Sequence, residues 1–147
     1  MVKQILRDQF IQKWHSDINN SSRGQFYSGF KNDFCLENYF LRLSEYNREW
    51  ITKFQTSNLR LPIETVRWYN IPRENRKCNF CGNGNGDKFH ILFLCENEIV
   101  VILRNKYIPN YYRIHPSHVK PVGLLSICNS QLYKKVSMFI RKNAALL

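Results

Sequence analysis

At 147 residues the chain has room for one domain, or for a domain with an appendage. Its 44% hydrophobic content supports one core and excludes disorder on grounds of composition, while five cysteines, an odd number in a chain this long, do not read as a disulfide framework. The net charge of +11 favours a polyanionic partner through phosphate contact and counterion release.

In chain order, Ile5, Leu6, Phe10, Trp14 and Ile18 recur at near four-residue spacing and predict an amphipathic helix over residues 1–18. Residues 19–33, rich in Asn, Ser and Gly, predict a flexible loop. The remainder, 34–147, is expected to form a single helical domain. Phe34, Leu36, Tyr39, Phe40 and Leu43 suggest its first helix, and Trp50, Ile51 and Phe54 a second that stops near Asn58. Pro62 suits either the first turn of a short helix through Val66 or an extended link, and Pro72 separates that piece from a cysteine segment.

Residues 82–87, Gly-Asn-Gly-Asn-Gly-Asp, are a loop that ends on Asp87, a good N-cap for a helix starting near Lys88. A further helix is expected over 96–107, a two-proline connection over 108–117, and a short helix over 119–128. The tail carries a stripe of Leu132, Tyr133, Val136, Phe139 and Ile140, with Ser130 as the expected cap. Strict alternation is nowhere sustained. The fold class is therefore mainly α: a small helical domain with one zinc knuckle and at most a short hairpin.

The chemistry concentrates in Cys78-x2-Cys81-x8-His90-x4-Cys95. Zinc takes four tetrahedral ligands and suits thiolate and imidazole. A Cys-x2-Cys turn lets two sulfurs reach one ion, Gly82 permits the tight turn, and the glycine-rich loop returns the chain to His90 and Cys95. A redox Cys-x-x-Cys would open a helix in a strand–helix–strand unit, whereas this one runs into a Gly-Asn loop. The expected cofactor is one structural Zn2+. Cys35 and Cys128 read as buried small hydrophobes, and His15, His115 and His118 as surface or packing residues.

Charge is uneven. Residues 1–57 hold eight Lys/Arg against six Asp/Glu, residues 58–147 hold fourteen against five, and no acid follows Glu98. Arg60, Arg67, Arg73, Arg76, Lys77 and Lys88 flank the cysteines and are the candidate nucleic-acid contacts, with RNA or DNA as partner. Trp68, Tyr69 and Phe80 could stack bases, and each ring taken singly reads as core packing.

The segment Phe54–Cys95, with its Phe-x-Thr-Ser, Leu61-x-Ile63-Glu64, Pro72-Arg73-x2-Arg76 and four metal-ligand positions, resembles the CCHC zinc-finger region that follows the polymerase domain in reverse transcriptases of invertebrate non-LTR retrotransposons. Residues 26–145 share the likeness more weakly. Gln55, Leu59-Arg60, Val66, Lys88 and Glu96 depart from the usual pattern, as in a diverged, stand-alone fragment. The resemblance implies a zinc module that binds element RNA or target DNA.

No adjacent Asp pair exists to hold two divalent metals for polymerisation, and no nucleophile elbow accompanies the serines, so no catalytic activity is expected. The alternative reading is a structural or protein-interaction zinc module. The longest apolar run, residues 99–103, is too short to span a bilayer, and the charged start is unlike a signal region. The setting expected from this is intracellular, nuclear or cytoplasmic rather than secreted or membrane-bound. Oligomeric state has no sequence signal.

Overall fold

The computed structural model describes residues 2–21, 24–29, 31, 33–117, 119–126 and 129–146. It is mainly helical, and among the described residues no strand forms. The helices are α1 (Val2–Asn20), α2 (Gly24–Ser28), α3 (Asn38–Arg42), α4 (Glu45–Gln55), α5 (Pro62–Thr65), α6 (Glu98–Tyr107), α7 (Asn110–Arg113), α8 (Val119–Ser126) and α9 (Ser130–Ala144). Short 3-10 turns cover Val66–Tyr69 and Arg73–Asn75, and a π-helical turn covers His90–Leu94. The single bridge between Lys77 and Asn85 is the vestige of a hairpin. No helix among the described residues is long and apolar enough to cross a membrane.

α9 is the centre of the architecture. Its apolar positions fall three and four residues apart, so Tyr133, Val136, Phe139 and Ile140 share one buried face. That face packs against α4, through Ile51 and Phe54, and against α6, through Val100. Burying each large apolar side chain completely contributes about 1.5–3 kcal/mol. Tyr39 of α3 tilts against Tyr133 and donates its hydroxyl to Gln55 Oε1 at 2.8 Å, which supplies a partner for a fully buried amide.

α6 and α9 are both capped by asparagines. Asn97 Oδ1 accepts from the backbone N–H of Ile99 and Val100, and Asn129 Oδ1 accepts from Gln131 and Leu132. The cap of α9 is thus Asn129, one residue before the Ser130 expected from sequence; Ser130 lies within the first turn, where its hydroxyl has no capping geometry.

The N-terminal third differs most from expectation. α1 continues two residues past 18, and the stretch expected as a loop contains α2. α1 is not an amphipathic helix laid on the core. It buries no residue, packs against α2, and leaves Ile5, Leu6 and Phe10 about half exposed. Ile5 points away from Phe10 and Trp14, because five and nine steps of 100° leave it about 140° and 180° from them, whereas Leu6, four steps before Phe10, lies on the same side. Phe10 and Trp14 instead meet Phe34 edge-on, with ring centroids 5.1 and 5.6 Å apart. Phe34 and Leu36 precede α3 as exposed residues and do not form its first turn.

Asn129→Ala should lower unfolding free energy by about 0.5–2 kcal/mol, and Ser130→Ala by less than about 0.5 kcal/mol, in urea denaturation of the two variants. Equal effects would return the cap to Ser130.

Candidate metal centre

The site is assembled by one hairpin-like loop and one unusual turn. The Gly82 amide donates to Cys78 O at 2.9 Å, closing the turn that carries Cys78 and Cys81. The Cys78 amide donates to Gly84 O at 3.2 Å, and the Gly86 amide to Arg76 O at 2.8 Å, which folds the loop back beside its own start. Gly84 has φ +63°, and a Cβ there would stand 2.8 Å from His90 Nδ1. Glycine is required twice over at this position, by backbone conformation and by contact with the imidazole.

Asp87 then starts the helical segment: its Oδ1 accepts from the His90 amide at 2.8 Å, the capping role expected for it. The following turn is π, not α. Cys95 donates its amide to His90 O at 2.7 Å, across five residues. In an α-helix positions five apart diverge by about 140° at 3.6 residues per turn. The wider π turn brings the fifth residue back over the first, so Cys95 returns to the side of His90.

The result is a cluster in which one donor atom from each of Cys78, Cys81, His90 and Cys95 lies within 4.8 Å of every other. Cys78 Sγ and Cys95 Sγ are 3.9 Å apart, and Cys81 Sγ is 3.2 Å from His90 Nε2. A tetrahedron with metal–sulfur bonds of about 2.3 Å has sulfur–sulfur edges of about 3.8 Å. The four side chains could therefore hold a single metal ion. Cys78, Cys95 and His90 are buried and Cys81 is half-buried. Burial pushes the Cys95 thiol up to about 12 and holds the His90 imidazole below its ordinary value, so the ring is presented neutral, as a ligand must be.

Arg104, which sequence reasoning missed, supports this turn from α6. Its guanidinium is buried and donates from one nitrogen to Ile91 O at 3.1 Å and to Cys95 O at 2.9 Å. Ile91 lies within the π turn and Cys95 is its C-terminal cap residue, so one guanidinium ties the turn's body to its end. The signal was present: Arg104 is the one cation that directly follows the apolar run 99–103. Asn97 adds a second tie, its side-chain amide donating to Phe80 O between the first two cysteines at 3.1 Å.

The basic candidates separate into three groups. Arg60, Arg73 and Lys77 are exposed. Arg76 is not a free cation: its Nε donates to Ile71 O and its Nη1 to Ile63 O, both at 2.9 Å, so it clips the 63–71 segment to the knuckle. Lys88 must be withdrawn from the surface set. Its side chain is buried, its Nζ donates to Ser57 Oγ at 2.5 Å, lies 3.8 Å from Glu64 Oε1, and sits 4.0 Å over the Phe26 ring. Burial holds this ammonium down to about 8, with Glu64 opposing. A group so enclosed cannot reach a phosphate. The side chain of Arg67 lies outside the described residues.

Other expectations shift as well. Trp68 and Tyr69 are 70% and 77% exposed, so neither is a core ring, while Phe80 packs against the core as expected. Cys35 is exposed, with Lys31 Nζ 3.4 Å from its sulfur, and not a buried hydrophobe. His15 and His115 are surface residues; Cys128 and His118 lie outside the described residues. Comparison with protein-family models, curated proteins and solved structures found nothing that matches the chain.

Two outcomes follow from the geometry. Gly84→Ala should weaken metal binding by tenfold or more in a chelator competition, whereas Gly82→Ala, which meets nothing within 4 Å, should cost only the backbone strain of about 1 kcal/mol. Lys88→Met alone should destabilise by about 3–5 kcal/mol, because Glu64, which keeps its bond from the Leu59 amide, loses its buried counter-charge. Lys88→Met with Glu64→Gln should recover most of that loss in thermal unfolding. Independent, additive costs would mean that the two groups do not act as a pair.

Proposed function

We propose that the chain is a non-catalytic zinc module that binds nucleic acid through phosphate contacts. The observation that carries the reading is the convergence of Cys78, Cys81, His90 and Cys95 beside exposed cations on the same short stretch, Arg73 and Lys77, with Arg60 on the preceding one. Three thiolates and an imidazole favour a borderline-soft ion, and their tetrahedral closure with no open position is that of a structural zinc. Magnesium and calcium prefer oxygen donors, of which this set has none.

The metal's role is to fix the loop. Residues 82–87 carry no apolar side chain to bury, so zinc would supply the folding energy that the local sequence lacks. The cations then stand on a rigid frame. Glu74 is the one acid near them on the knuckle's approach, and residues 99–147 add eight Lys/Arg and no acid. The absence of paired carboxylates in that half supports a binding role over a nuclease or polymerase role. The likeness of 54–95 to the region after the polymerase domain of non-LTR retrotransposon reverse transcriptases agrees with this reading and suggests descent from such an element.

The test is a binding titration of the full chain with RNA and with duplex DNA across salt. With about four phosphate contacts, affinity for duplex should fall on the order of a hundredfold between 50 and 200 mM salt. Arg73→Ala with Lys77→Ala should lower the slope of log affinity against log salt by about 1.8. Arg76→Ala should act differently, destabilising the fold by about 1.5–3 kcal/mol through its two lost carbonyl contacts. Binding indifferent to salt, or none at 50 mM, would leave a purely structural zinc module.

A further inference from the structure

Directly after α5 the chain makes a 3-10 turn, Val66–Tyr69, and this turn carries two of the three most exposed aromatic side chains among the described residues, the third being Tyr111. Trp68 is 70% and Tyr69 77% exposed, with Ile71 37% exposed just beyond. A lone exposed aromatic needs no explanation, but two adjacent ones on a braced turn form a surface that binding would cover.

The turn is braced at both ends. Pro62 is buried at its base, and the Ile63 amide donates to Gly86 O of the knuckle at 3.2 Å. Arg76 closes the segment by holding Ile63 O and Ile71 O with one guanidinium. Between the rings and that clip, Asn70 adopts φ +55°, a conformation unusual for a residue with a side chain. The rings therefore project from a segment whose backbone is already fixed, so engaging a ligand costs little ordering.

The charge around them selects the ligand. Arg73 and Lys77 follow within nine residues and are exposed, Arg60 precedes, Glu64 is turned inward to Lys88, and the exposed Glu74 between Arg73 and Lys77 leaves the stretch net positive. Exposed rings with nearby cations suit a strand that offers both a phosphate backbone and unpaired base faces. A duplex hides its base faces and offers the backbone and the base edges in its grooves. A lipid surface would require an amphipathic helix or a larger apolar face, and four residues of 3-10 turn supply neither.

We infer that the Trp68–Tyr69 turn is a base-stacking site for single-stranded nucleic acid, with Arg73 and Lys77 holding the adjoining phosphates. This rests on the nucleic-acid reading above and narrows it to unpaired strands. It also assigns different work to the two residue types: the cations set the salt dependence, and the rings set the preference for single strand over duplex.

The experiment compares the full chain with a Trp68→Ala/Tyr69→Ala variant on a twelve-nucleotide oligouridylate, a twelve-base-pair DNA duplex and anionic phosphatidylserine vesicles. Both rings are exposed, so thermal midpoint and metal content should match the parent. The parent should bind the single strand more tightly than the duplex at equal salt. The variant should lose about five- to a hundredfold on the single strand for each base that loses its ring. Its duplex affinity and salt slope should stay unchanged. Equal loss on single strand and duplex, or no loss on either, overturns the stacking site while leaving phosphate binding intact. Loss confined to the vesicles overturns it in favour of a membrane surface. No binding of the parent to either nucleic acid at 50 mM salt overturns both this inference and the function it rests on.

Discussion

The structure depends on bringing His90 and Cys95 to one side of the same turn. They are five residues apart, a separation that an α-helix sends to different faces, and the knuckle cysteines cannot compensate because their own turn is fixed by Gly82 and Gly84. The π turn resolves the conflict. Arg104 braces it from α6 through the Ile91 and Cys95 carbonyls, and Asn97, the cap of the same helix, reaches back to Phe80. The donor cluster is therefore held from outside by one helix, and that helix is held in turn by α9.

A second buried cation connects the centre to the N-terminal helices. Lys88 lies two residues before His90 and faces Ser57, Glu64 and the rings of Phe26 and Phe54. It joins the start of the π turn to α2, α4 and α5. Buried ion pairs seldom add net stability over an apolar equivalent, but they enforce one arrangement because either charge alone is costly. Together Lys88 and Arg104 hold the two ends of the segment that carries His90 and Cys95.

Much of this was legible in the sequence. The four donors could be read from spacing and residue type, because metal ligation has few solutions. The helices α4, α6 and α9 followed from apolar periodicity, and Asp87 from capping chemistry. What escaped had a different physical origin. Periodicity reports that apolar residues recur, not which partner they meet, and α1 packs through Phe10 and Trp14 on Phe34 while burying no residue. A lysine or arginine in a sequence reads as surface charge, and neither the withdrawal of Lys88 nor the clip made by Arg76 has a local signature. Trp68 and Tyr69 read as core by residue type; only the fold reveals that their turn faces outward. The cap of α9 was misplaced by one residue because Asn129 and Ser130 are both good caps and only backbone geometry chooses between them.

The central claim is that a metal ion is the keystone of residues 76–95, and hydrogen exchange of the full chain with metal analysis tests it most directly. Freshly purified protein should hold about one equivalent of zinc per chain. Removing it with a chelator should abolish amide protection at Gly82, Gly86 and Cys95 while α9 keeps its own. Less than half an equivalent of zinc, or unchanged protection of those amides after its removal, would contradict the account.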